Sequence, residues 1–452
     1  MKTNSGALRR RAGLLLLALF LIAAPQRSQL PPAWGEGILG SDSLPPRVYL
    51  PIASGAESNG PMVEVRALWV TRWDYSSPAD IRTIVRKAAD AHFNVIWLQV
   101  RGQADAYYRS SLEPWAARLS GTLGRDPGWD PLGLAIAEAH AAGLQLHAYV
   151  NVYPAWLGTT PPAQATPEPM YHAFNALYGN LWVMWNDQGQ PMTLRSDDYL
   201  YAGPAYPPVA DHIANVVQDL VSRYEVDGIH LDLVRYAGPR YSYDPKSNAA
   251  YADARAKEPG LSRAEWQRRQ ITQLVGRLRE GLRAIRPRAW LSAAVWPAYR
   301  DHWDWWTGPD GYDGYYQDSV GWLLGGQADA IAPMLYTANI LGDTFGFQAI
   351  DPFTLRRQES LMTEVLNNPT RYQILVDDFL ALAQGRLVLP GIYGDYPEFY
   401  YIAGRIQWAR EAGARGQAIF SYRLLNQRDY WDELLAGPYA RPAILPTFLT
   451  SP

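Results

Sequence analysis

The 452-residue sequence contains no cysteine. This absence excludes a disulfide-stabilised scaffold, a cysteine-ligated zinc or iron–sulfur centre, and a cysteine nucleophile. The sequence also lacks an excess of either charge, because 41 lysines and arginines stand against 44 aspartates and glutamates, for a formal net charge of -3. A protein that binds nucleic acid or an anionic membrane surface needs a basic excess or a basic stripe, so we expect neither partner.

Several common catalytic motifs are missing as well. The sequence has no H-E-x-x-H zinc motif, no G-x-S-x-G nucleophile motif and no Walker A phosphate-binding loop. Its seven histidines are scattered along the chain. The sequence therefore gives no reason to expect a bound cofactor.

One apolar run stands out near the N-terminus. Lys2 and three consecutive arginines at 9–11 precede the apolar residues 12–24. This order predicts a secretory signal peptide over residues 1–25, or an uncleaved N-terminal anchor. The run is shorter than the roughly 20 residues that span a bilayer, so we expect no transmembrane domain beyond such an anchor.

The segment that follows, residues 26–61, is rich in proline, glycine and serine. This composition predicts a linker. A secreted chain without cysteine suits a bacterial envelope better than a eukaryotic secretory route. We therefore expect the protein to be secreted or held in the bacterial cell envelope.

Between residues 62 and 436, short apolar segments alternate with amphipathic helical segments. The apolar segments predict eight strands, at residues 63–70, 94–100, 144–150, 228–233, 290–295, 330–335, 387–392 and 418–422. Eight such pairs predict an α/β fold, a (β/α)8 TIM barrel. A doubly wound open sheet is the alternative, but the glycine-rich turn that it uses after its first strand is missing.

The predicted barrel has long insertions in the loops that follow its strands. They lie at residues 154–206, 300–322 and 337–353, whereas residues 437–452 predict an irregular tail. In TIM barrels the loops after the strands build the active face. The extra length therefore lies where function is expected.

The most informative strand lies in residues 227–236. Alternation along this strand directs His230 and Asp232 into the barrel. Asp232 then lies at the C-terminal end of the strand, where barrel enzymes keep catalytic groups. Burial of a carboxylate there is costly unless the group is paired or used, so we interpret Asp232 as catalytic. An ion pair with Arg235 or Arg101 is the structural alternative.

Other side chains are predicted to surround Asp232. Asp105 and Asp318 lie on loops and are candidates for a second catalytic carboxylate. Each has an alternative interpretation as a loop cap, and Asp318 precedes a helical segment that it could cap. The residues predicted to bind the substrate are Arg101, Tyr108, Asn151, Tyr153, His230, Arg235, Tyr236, Trp296, Gln317 and Tyr336.

Aromatic residues with a polar group are abundant, since 18 Trp and 29 Tyr stand against 10 Phe. Such rings stack on flat sugar rings and bond their hydroxyls, although they also fill large cores. Their placement on the predicted active-face loops favours stacking. The residues concerned are Tyr107, Tyr108, Trp115, Tyr153, Trp156, Tyr236, Trp296, Trp303, Trp305, Trp306 and Tyr336.

A series of segments, in order along the chain, resembles the bacterial glycosyl hydrolase-like 10 family. They are Glu64-Val65-Arg66-Ala67-Leu68-Trp69-Val70, Gln99-Val100-Arg101, Asp105-Ala106-Tyr107-Tyr108, Glu113-Pro114-Trp115, Leu119-Ser120-Gly121, Asp130-Pro131-Leu132, Glu138-Ala139-His140, Leu146-His147-Ala148-Tyr149-Val150-Asn151, Asp227-Gly228-Ile229-His230-Leu231-Asp232 and Gln317-Asp318. The resemblance implies a (β/α)8 barrel in a secreted or envelope-anchored bacterial protein. It also implies activity on glycan strands, with peptidoglycan glycan as the substrate class.

The sequence departs from this family at three places. Leu233 stands where many members carry a second acid, directly after the position of Asp232. Ala237 replaces a proline, and Val295-Trp296-Pro297 replaces a glycine-rich segment. The missing acid argues against a pair of catalytic carboxylates on that one strand.

We therefore expect a glycoside hydrolase in which Asp232 and either Asp105 or Asp318 provide carboxylate acid and base catalysis without a metal. An alternative from a different class is a non-catalytic carbohydrate-binding barrel, which Leu233 keeps open. A third interpretation is a metal-dependent polysaccharide deacetylase, with His147, His230 and Asp232 as metal ligands.

Overall fold

A computed structural model of the chain describes residues 60–303, 309–336 and 369–447. The predicted signal segment, most of the predicted linker and the predicted insertion at 337–353 lie outside the described residues, as do Trp305 and Trp306. No helix within the described ranges is both long enough and apolar enough to cross a membrane.

The described strands follow the predicted order. They are β1 (Met62–Val63), β2 (Val65–Val70), β3 (Val95–Arg101), β4 (Gln145–Asn151), β5 (Pro154–Leu157), β6 (Tyr199–Tyr201), β7 (Gly228–Asp232), β8 (Trp290–Val295), β9 (Ala330–Pro333), β10 (Leu387–Val388), β11 (Gly391–Tyr393), β12 (Gly416–Phe420) and β13 (Ala443–Ile444). Every residue of β2, β3, β7 and β8 is buried. Burial on both faces is typical of strands covered by helices outside and by side chains inside a barrel.

One parallel sheet forms the barrel, with the strand order β10-β9-β8-β7-β4-β3-β2-β12-β11. The predicted strand at 387–392 is divided, because β10 pairs with β9 whereas β11 pairs with β12. The two residues between them continue both pairings: Leu389 donates its amide to Ile331 at 2.9 Å, and Pro390 accepts from Ala418 at 3.1 Å. This strand therefore joins the two edges of the sheet, and the fold is a (β/α)8 barrel, as the sequence predicted.

Helices connect the strands, and their starts are encoded locally. They span Pro78–Asp90, Ala117–Ser120, Pro131–Ala141, Met170–Tyr178, Pro207–Arg223, Pro245–Lys257, Arg263–Ile285, Ser319–Leu324, Pro369–Ala383, Tyr400–Glu411, Tyr422–Arg428 and Trp431–Ala436. Three of them begin with proline directly after a capping side chain, which is Ser77, Asp130 or Asp244. The cap accepts an otherwise unpaired amide hydrogen, and proline fits the first helical position because it has none to lose.

The barrel interior is filled by aromatic rings. Trp69 lies at its centre, with its ring centroid 4.6 Å from that of Trp97 and 5.9 Å from that of Phe420. Most of the aromatic residues predicted to stack on sugar are also buried: Tyr107, Tyr108, Tyr153, Tyr236, Trp296 and Tyr336 are each at most 2% exposed. The stacking interpretation was wrong for these residues, because their rings fill the core.

The insertion after β4 contains an antiparallel hairpin of β5 and β6. The hairpin begins three residues past the end of β4, and the Tyr199 hydroxyl at its far end accepts a 2.8 Å hydrogen bond from Arg72, directly after β2. The insertion thus reaches across the ends of the barrel strands. This placement brings polar residues of the insertion to the active face.

The predicted irregular tail contains a strand. Residues 443 and 444 pair in parallel with Met62 and Val63, outside the barrel sheet. The ordered unit therefore extends past the predicted boundary at residue 436. A two-residue strand is too short for sequence periodicity to reveal.

Candidate active site

Asp232 ends β7 and is 3% exposed. Its Oδ2 accepts a 2.6 Å hydrogen bond from the Tyr149 hydroxyl, and its Oδ1 accepts one of 2.6 Å from the Leu233 amide. Burial raises the pKa of Asp232, although the Tyr149 hydrogen bond opposes this rise. Asp232 makes no ion pair with any described residue, so the structural alternative of an ion pair is not supported.

The backbone directly after Asp232 is held in an unfavourable conformation. Leu233 has φ of 50°, in the left-handed region that a side chain with a Cβ adopts only at a cost. Such a conformation persists when its surroundings impose it, and it is frequent at functional sites. Here it turns the Leu233 amide toward the Asp232 carboxylate, which fixes the orientation of that group.

His230 lies two residues before Asp232 on β7 and is fully enclosed by protein. Its Nε2 accepts a 3.0 Å hydrogen bond from the Trp69 indole, its Nδ1 lies 2.9 Å from the Ser292 hydroxyl, and its ring stacks on Trp97 at 3.8 Å. Burial lowers its pKa well below the usual value, so the ring is neutral. The prediction that His230 binds the substrate is corrected, because both of its nitrogens bond the protein.

The same bonds argue against the metal-dependent deacetylase. His230 has no lone pair left for a metal, and His147 lies in a deeper layer, paired in register with Gly228 rather than with Asp232. Within the described ranges, no three His, Asp or Glu side chains converge as metal ligands. The three residues expected to form that site are therefore not brought together.

Arg101 was predicted to point toward the substrate, and the structure places it elsewhere. The pairing of β3 with β4 shifts register between Gln99 and Arg101, which is a bulge that re-aims the side chain. Its guanidinium binds both oxygens of Glu113, at 2.7 to 3.1 Å, and the carbonyls of Asn151 and Val152. Arg101 thus links Glu113 to the end of β4, and each nitrogen of its guanidinium group donates to a protein acceptor.

Glu113 is the charge partner of Arg101, and its side chain is fully buried. Burial alone would raise its pKa, but the charge of Arg101 and hydrogen bonds from His212 and Arg101 lower the pKa to about 2. Glu113 is therefore ionised at all physiological pH values. It neutralises Arg101 rather than exchanging protons.

Asp105 lies in the turn after β3. Its Oδ1 accepts from the amides of Gln103 and Gly102, at 3.0 and 3.4 Å. Burial raises its pKa, and the charge of nearby Arg72 opposes the rise. Asn151, the register partner of Asp232, donates to the carbonyl of Gly102 at 2.9 Å, so it links the Asp105 turn to the end of the neighbouring strand.

Asp318 is a helix cap. Its Oδ1 accepts from the Gly321 amide at 3.0 Å and from the Tyr299 hydroxyl at 2.8 Å, at the start of the helix Ser319–Leu324. The catalytic prediction for Asp318 is therefore corrected in favour of the alternative capping interpretation. Gln317 is also structural, because its Oε1 accepts from the Trp296 amide at 2.8 Å and its side chain is buried.

The other residues predicted to contact the substrate pack against protein side chains. Arg235 lies over the rings of Tyr315 and Trp296, at 4.5 and 5.3 Å from their centroids. Tyr336 stacks on Phe420 at 5.0 Å, and the negative charge of Asp232 adds to the effect of burial in raising its pKa. The remaining predicted contacts, Tyr108, Tyr153 and Tyr236, are buried beside these elements.

Sequence reasoning missed Asp198, a second buried carboxyl group. Asp198 precedes β6 in the insertion and is 3% exposed. Its Oδ1 accepts from the Tyr199 amide at 2.7 Å, whereas its Oδ2 has no hydrogen-bond partner among the described residues. Burial raises the pKa of Asp198 to about 7. No periodic pattern marks this position, because the insertion is not a barrel strand.

Trp73 was also missed, and it is the exposed indole of this face. Its side chain is 44% exposed, and it follows Arg72 in the loop after β2. The guanidinium groups of Arg72 and Arg118 lie 4.7 and 5.0 Å from its ring centroid. Arg118 also donates to the Trp73 carbonyl at 3.0 Å. Two cations therefore hold an exposed ring in place, as a stacking surface requires.

Comparison with known proteins relates the sequence to a family of glycosyl hydrolase-like proteins. A model of the glycosyl hydrolase-like 10 family matches residues 64–373. The chain is 28% identical to glycosyl hydrolase DigH of Escherichia coli K12 over 357 residues, which covers 73% of this chain and 75% of that one. It is 25% identical to glycosyl hydrolase YngK of Bacillus subtilis over 315 residues, which covers 64% of this chain and 56% of that one.

Solved structures share the fold. The glycoside hydrolase domain of PgaB from Bordetella bronchiseptica superposes with a TM-score of 0.57 at 14% identity, over 82% of this chain and 98% of that one. The catalytic domain of β-amylase from Paenibacillus polymyxa superposes with a TM-score of 0.50 at 9% identity, over 83% and 99% of the two chains. These similarities establish the barrel architecture.

Proposed function

The chain belongs to the glycosyl hydrolase-like 10 family, and from that premise we propose that it is a secreted or envelope-bound bacterial enzyme that hydrolyses the glycosidic bonds of a polysaccharide. Peptidoglycan glycan strands are the proposed substrate. The near-neutral charge of the chain supports a substrate that does not require a basic groove. The basic and apolar N-terminal segment supports export, which cell fractionation would test.

Asp232 is the observation on which the proposal depends. A carboxylate at the C-terminal end of a barrel strand, buried and without an ion pair among the described residues, costs stability that its two hydrogen bonds only partly return. The strained backbone at Leu233 adds to this cost. A group kept in place at such expense is expected to act on a substrate.

Glycoside cleavage requires two carboxyl groups in different states. One protonates the leaving oxygen, and the other attacks the anomeric carbon or removes a proton from water. Asp232 accepts two short hydrogen bonds, which stabilise its ionised form and oppose the rise of its pKa by burial. We assign it the role of nucleophile or base, and Tyr149 the role of fixing its orientation.

The test is the Asp232→Asn variant, assayed by release of new reducing ends from purified peptidoglycan. We expect activity to be lost and the melting temperature to stay nearly unchanged, because asparagine has almost the same shape. Asp126→Asn, at an exposed acid whose side chain is 51% exposed, is the matched control. Turnover by the Asp232 variant at the wild-type rate would refute the assignment.

A non-catalytic carbohydrate-binding barrel is the second candidate function. It is favoured by Leu233, where many family members carry an acid, and by the capping role of Asp318. It predicts measurable equilibrium binding of the wild-type protein to glycan oligomers with no reducing ends released on long incubation. Release of reducing ends by the wild type, lost in Asp232→Asn, decides for the enzyme.

A further inference from the structure

We propose that Asp198 is the proton donor that acts with Asp232 when the glycosidic bond breaks. The inference rests on the proposed glycoside hydrolase function and names the second carboxyl group that this function requires. Asp198 is carried by the insertion after β4, which crosses the active face, and one of its oxygens has no protein partner among the described residues.

The neighbours of Asp198 are also neighbours of Asp232. The positive charge of Arg235 acts on both carboxyl groups, and the ring hydroxyl of Tyr201 interacts electrostatically with both. Arg235 is itself held over the rings of Trp296 and Tyr315, at the end of β8. Both acids therefore lie within electrostatic range of Arg235 and Tyr201, although one is on a barrel strand and the other on the insertion.

Burial raises the pKa of both carboxyl groups, but their hydrogen bonds differ. Asp232 accepts hydrogen bonds on both of its oxygens, and these bonds oppose the effect of burial by stabilising the ionised group. Asp198 accepts a bond on Oδ1 alone, and its Oδ2 is buried without a partner. When Oδ2 carries a proton, this hydroxyl group has no acceptor among the described residues. The glycosidic oxygen of a bound sugar would be such an acceptor. Pairs of carboxyl groups in contrasting environments are a common basis for assigning acid and base.

Asp105 is less suited to donate a proton. Its Oδ1 accepts two backbone amides, and the charge of Arg72 acts upon it. Burial raises the pKa of Asp105, but both of these features oppose the rise by stabilising the ionised form. Arg72 in turn donates to the Tyr199 hydroxyl at 2.8 Å. The negative charge of Asp105 therefore acts on Arg72, which binds Tyr199 in the strand that follows Asp198.

The proposed step balances as follows. The Asp198 O–H bond breaks, and its proton passes to the glycosidic oxygen. The bond between that oxygen and the anomeric carbon breaks, with its electron pair remaining on the oxygen. The anomeric carbon accepts an electron pair either from Asp232 or from a water whose proton passes to Asp232. In the first case a water later displaces Asp232 and returns a proton to Asp198, so no further reactant is needed.

The experiment compares two kinds of leaving group with the full chain. Asp198→Asn, Asp105→Asn and wild type are assayed on purified peptidoglycan and on 2,4-dinitrophenyl glycosides of N-acetylglucosamine, glucose, galactose and mannose. Dinitrophenolate leaves without protonation, so it needs no acid. The control is Asp197→Asn, at the adjacent exposed acid, which pairs with Arg195 in solvent.

We expect Asp198→Asn to lose about 100-fold or more of its rate on peptidoglycan, within the range that general acids contribute, and to lose far less on the dinitrophenyl glycosides. For wild type we expect kcat/KM to decline on the alkaline side as the acid ionises, and this decline should be absent from the variant. Asp198→Ala assayed with added formate, which restores a small acid, covers the case in which the asparagine variant misfolds; recovery of activity supports the proposal.

Three outcomes would overturn the assignment. An Asp198→Asn variant that is unimpaired on peptidoglycan, or equally impaired on both kinds of substrate, excludes a proton donor at this position. A leaving-group dependence that appears in Asp105→Asn instead transfers the role to that residue. A wild type that cleaves none of these substrates refutes the proposed function itself, and this result is distinct from the other two.

Discussion

Replacing Asp198 with asparagine tests the buried carboxyl group without any substrate. Burial raises the pKa of Asp198 in the folded protein to about 7, from the usual 3.8. At intermediate pH the folded protein therefore keeps a proton that the unfolded chain has lost. The contribution of Asp198 to the free energy of unfolding must therefore fall as the pH rises from about 3.8 to about 7, and it must level off above that interval.

The magnitude follows from the width of this interval. A difference of one pH unit corresponds to 1.36 kcal/mol, so the interval corresponds to about 4 kcal/mol of unfolding free energy that wild type loses between acidic and neutral pH. Asparagine does not titrate, so the free energy of unfolding of the variant lacks this pH dependence. Relative to wild type, Asp198→Asn should therefore gain about 4 kcal/mol between pH 4 and pH 8.

The assay is chemical denaturation at several pH values, followed by intrinsic tryptophan fluorescence. The measured quantity is the difference in unfolding free energy between variant and wild type at each pH, because contributions from all other groups cancel in it. Asp197→Asn is the control and should show no such rise, since Asp197 is exposed. A difference between Asp198→Asn and wild type that stays constant over this range would show that Asp198 is ionised in the folded protein, and the reasoning would fail.

Three further predictions concern neighbouring residues. Glu113→Gln leaves the buried guanidinium of Arg101 without its charge partner, so it should lower the free energy of unfolding by about 3–5 kcal/mol in chemical denaturation. A loss below about 1 kcal/mol, as for an exposed pair, would contradict a buried ion pair at this position. Asp318→Ala removes a helix cap and should cost about 1 kcal/mol while the rate of glycan hydrolysis stays nearly unchanged, whereas a large loss of rate would restore its catalytic role. Trp73→Ala should raise KM for glycan roughly fivefold at constant kcat and constant stability, because the ring is 44% exposed, and an unchanged KM would exclude stacking there.

The barrel could be predicted because its signal is local and repeated. Each predicted strand begins and ends within two residues of an observed barrel strand, apart from 387–392, which is divided into β10 and β11. Buried parallel strands produce continuous apolar runs, and the loops between them produce proline, glycine and aspartate. The alternation that directed His230 and Asp232 into the barrel agrees with their contacts, since His230 accepts a hydrogen bond from Trp69 and Asp232 accepts one from Tyr149.

Side-chain roles could not be predicted in the same way. Alternation assigned Arg101 to the site, but a bulge in β3 turned it toward Glu113. A bulge depends on contacts with a neighbouring strand, and no pattern within the strand itself encodes it. Alternation also predicted that His230 points into the barrel, but it could not predict how deep in the barrel the side chain lies. That depth decides whether a side chain can contact the substrate.

The aromatic residues likewise show that composition does not predict which side chains are buried. Trp and Tyr are abundant, but most of those predicted to stack on sugar lie inside the core, where the Trp69 indole bonds His230. Trp73, which the stacking prediction left out, is the ring that stays exposed beside two arginines. Composition predicts that amphipathic rings matter, and only packing separates those facing solvent from those filling the barrel.

Asp197 and Asp198 make the limit of sequence reasoning concrete. They are adjacent, they have the same side chain, and they lie in one polar insertion, yet Asp197 pairs with Arg195 in solvent whereas Asp198 is 3% exposed. The difference arises from packing around the start of β6, which leaves one residue in solvent and buries the next, where the charge of Arg235 acts on it. The strand end lacks a second acid at Leu233, so the buried carboxyl group that complements Asp232 has to come from another element. The insertion supplies it, and for this reason the chemistry of this barrel depends on the fold of its longest described loop as much as on the barrel itself.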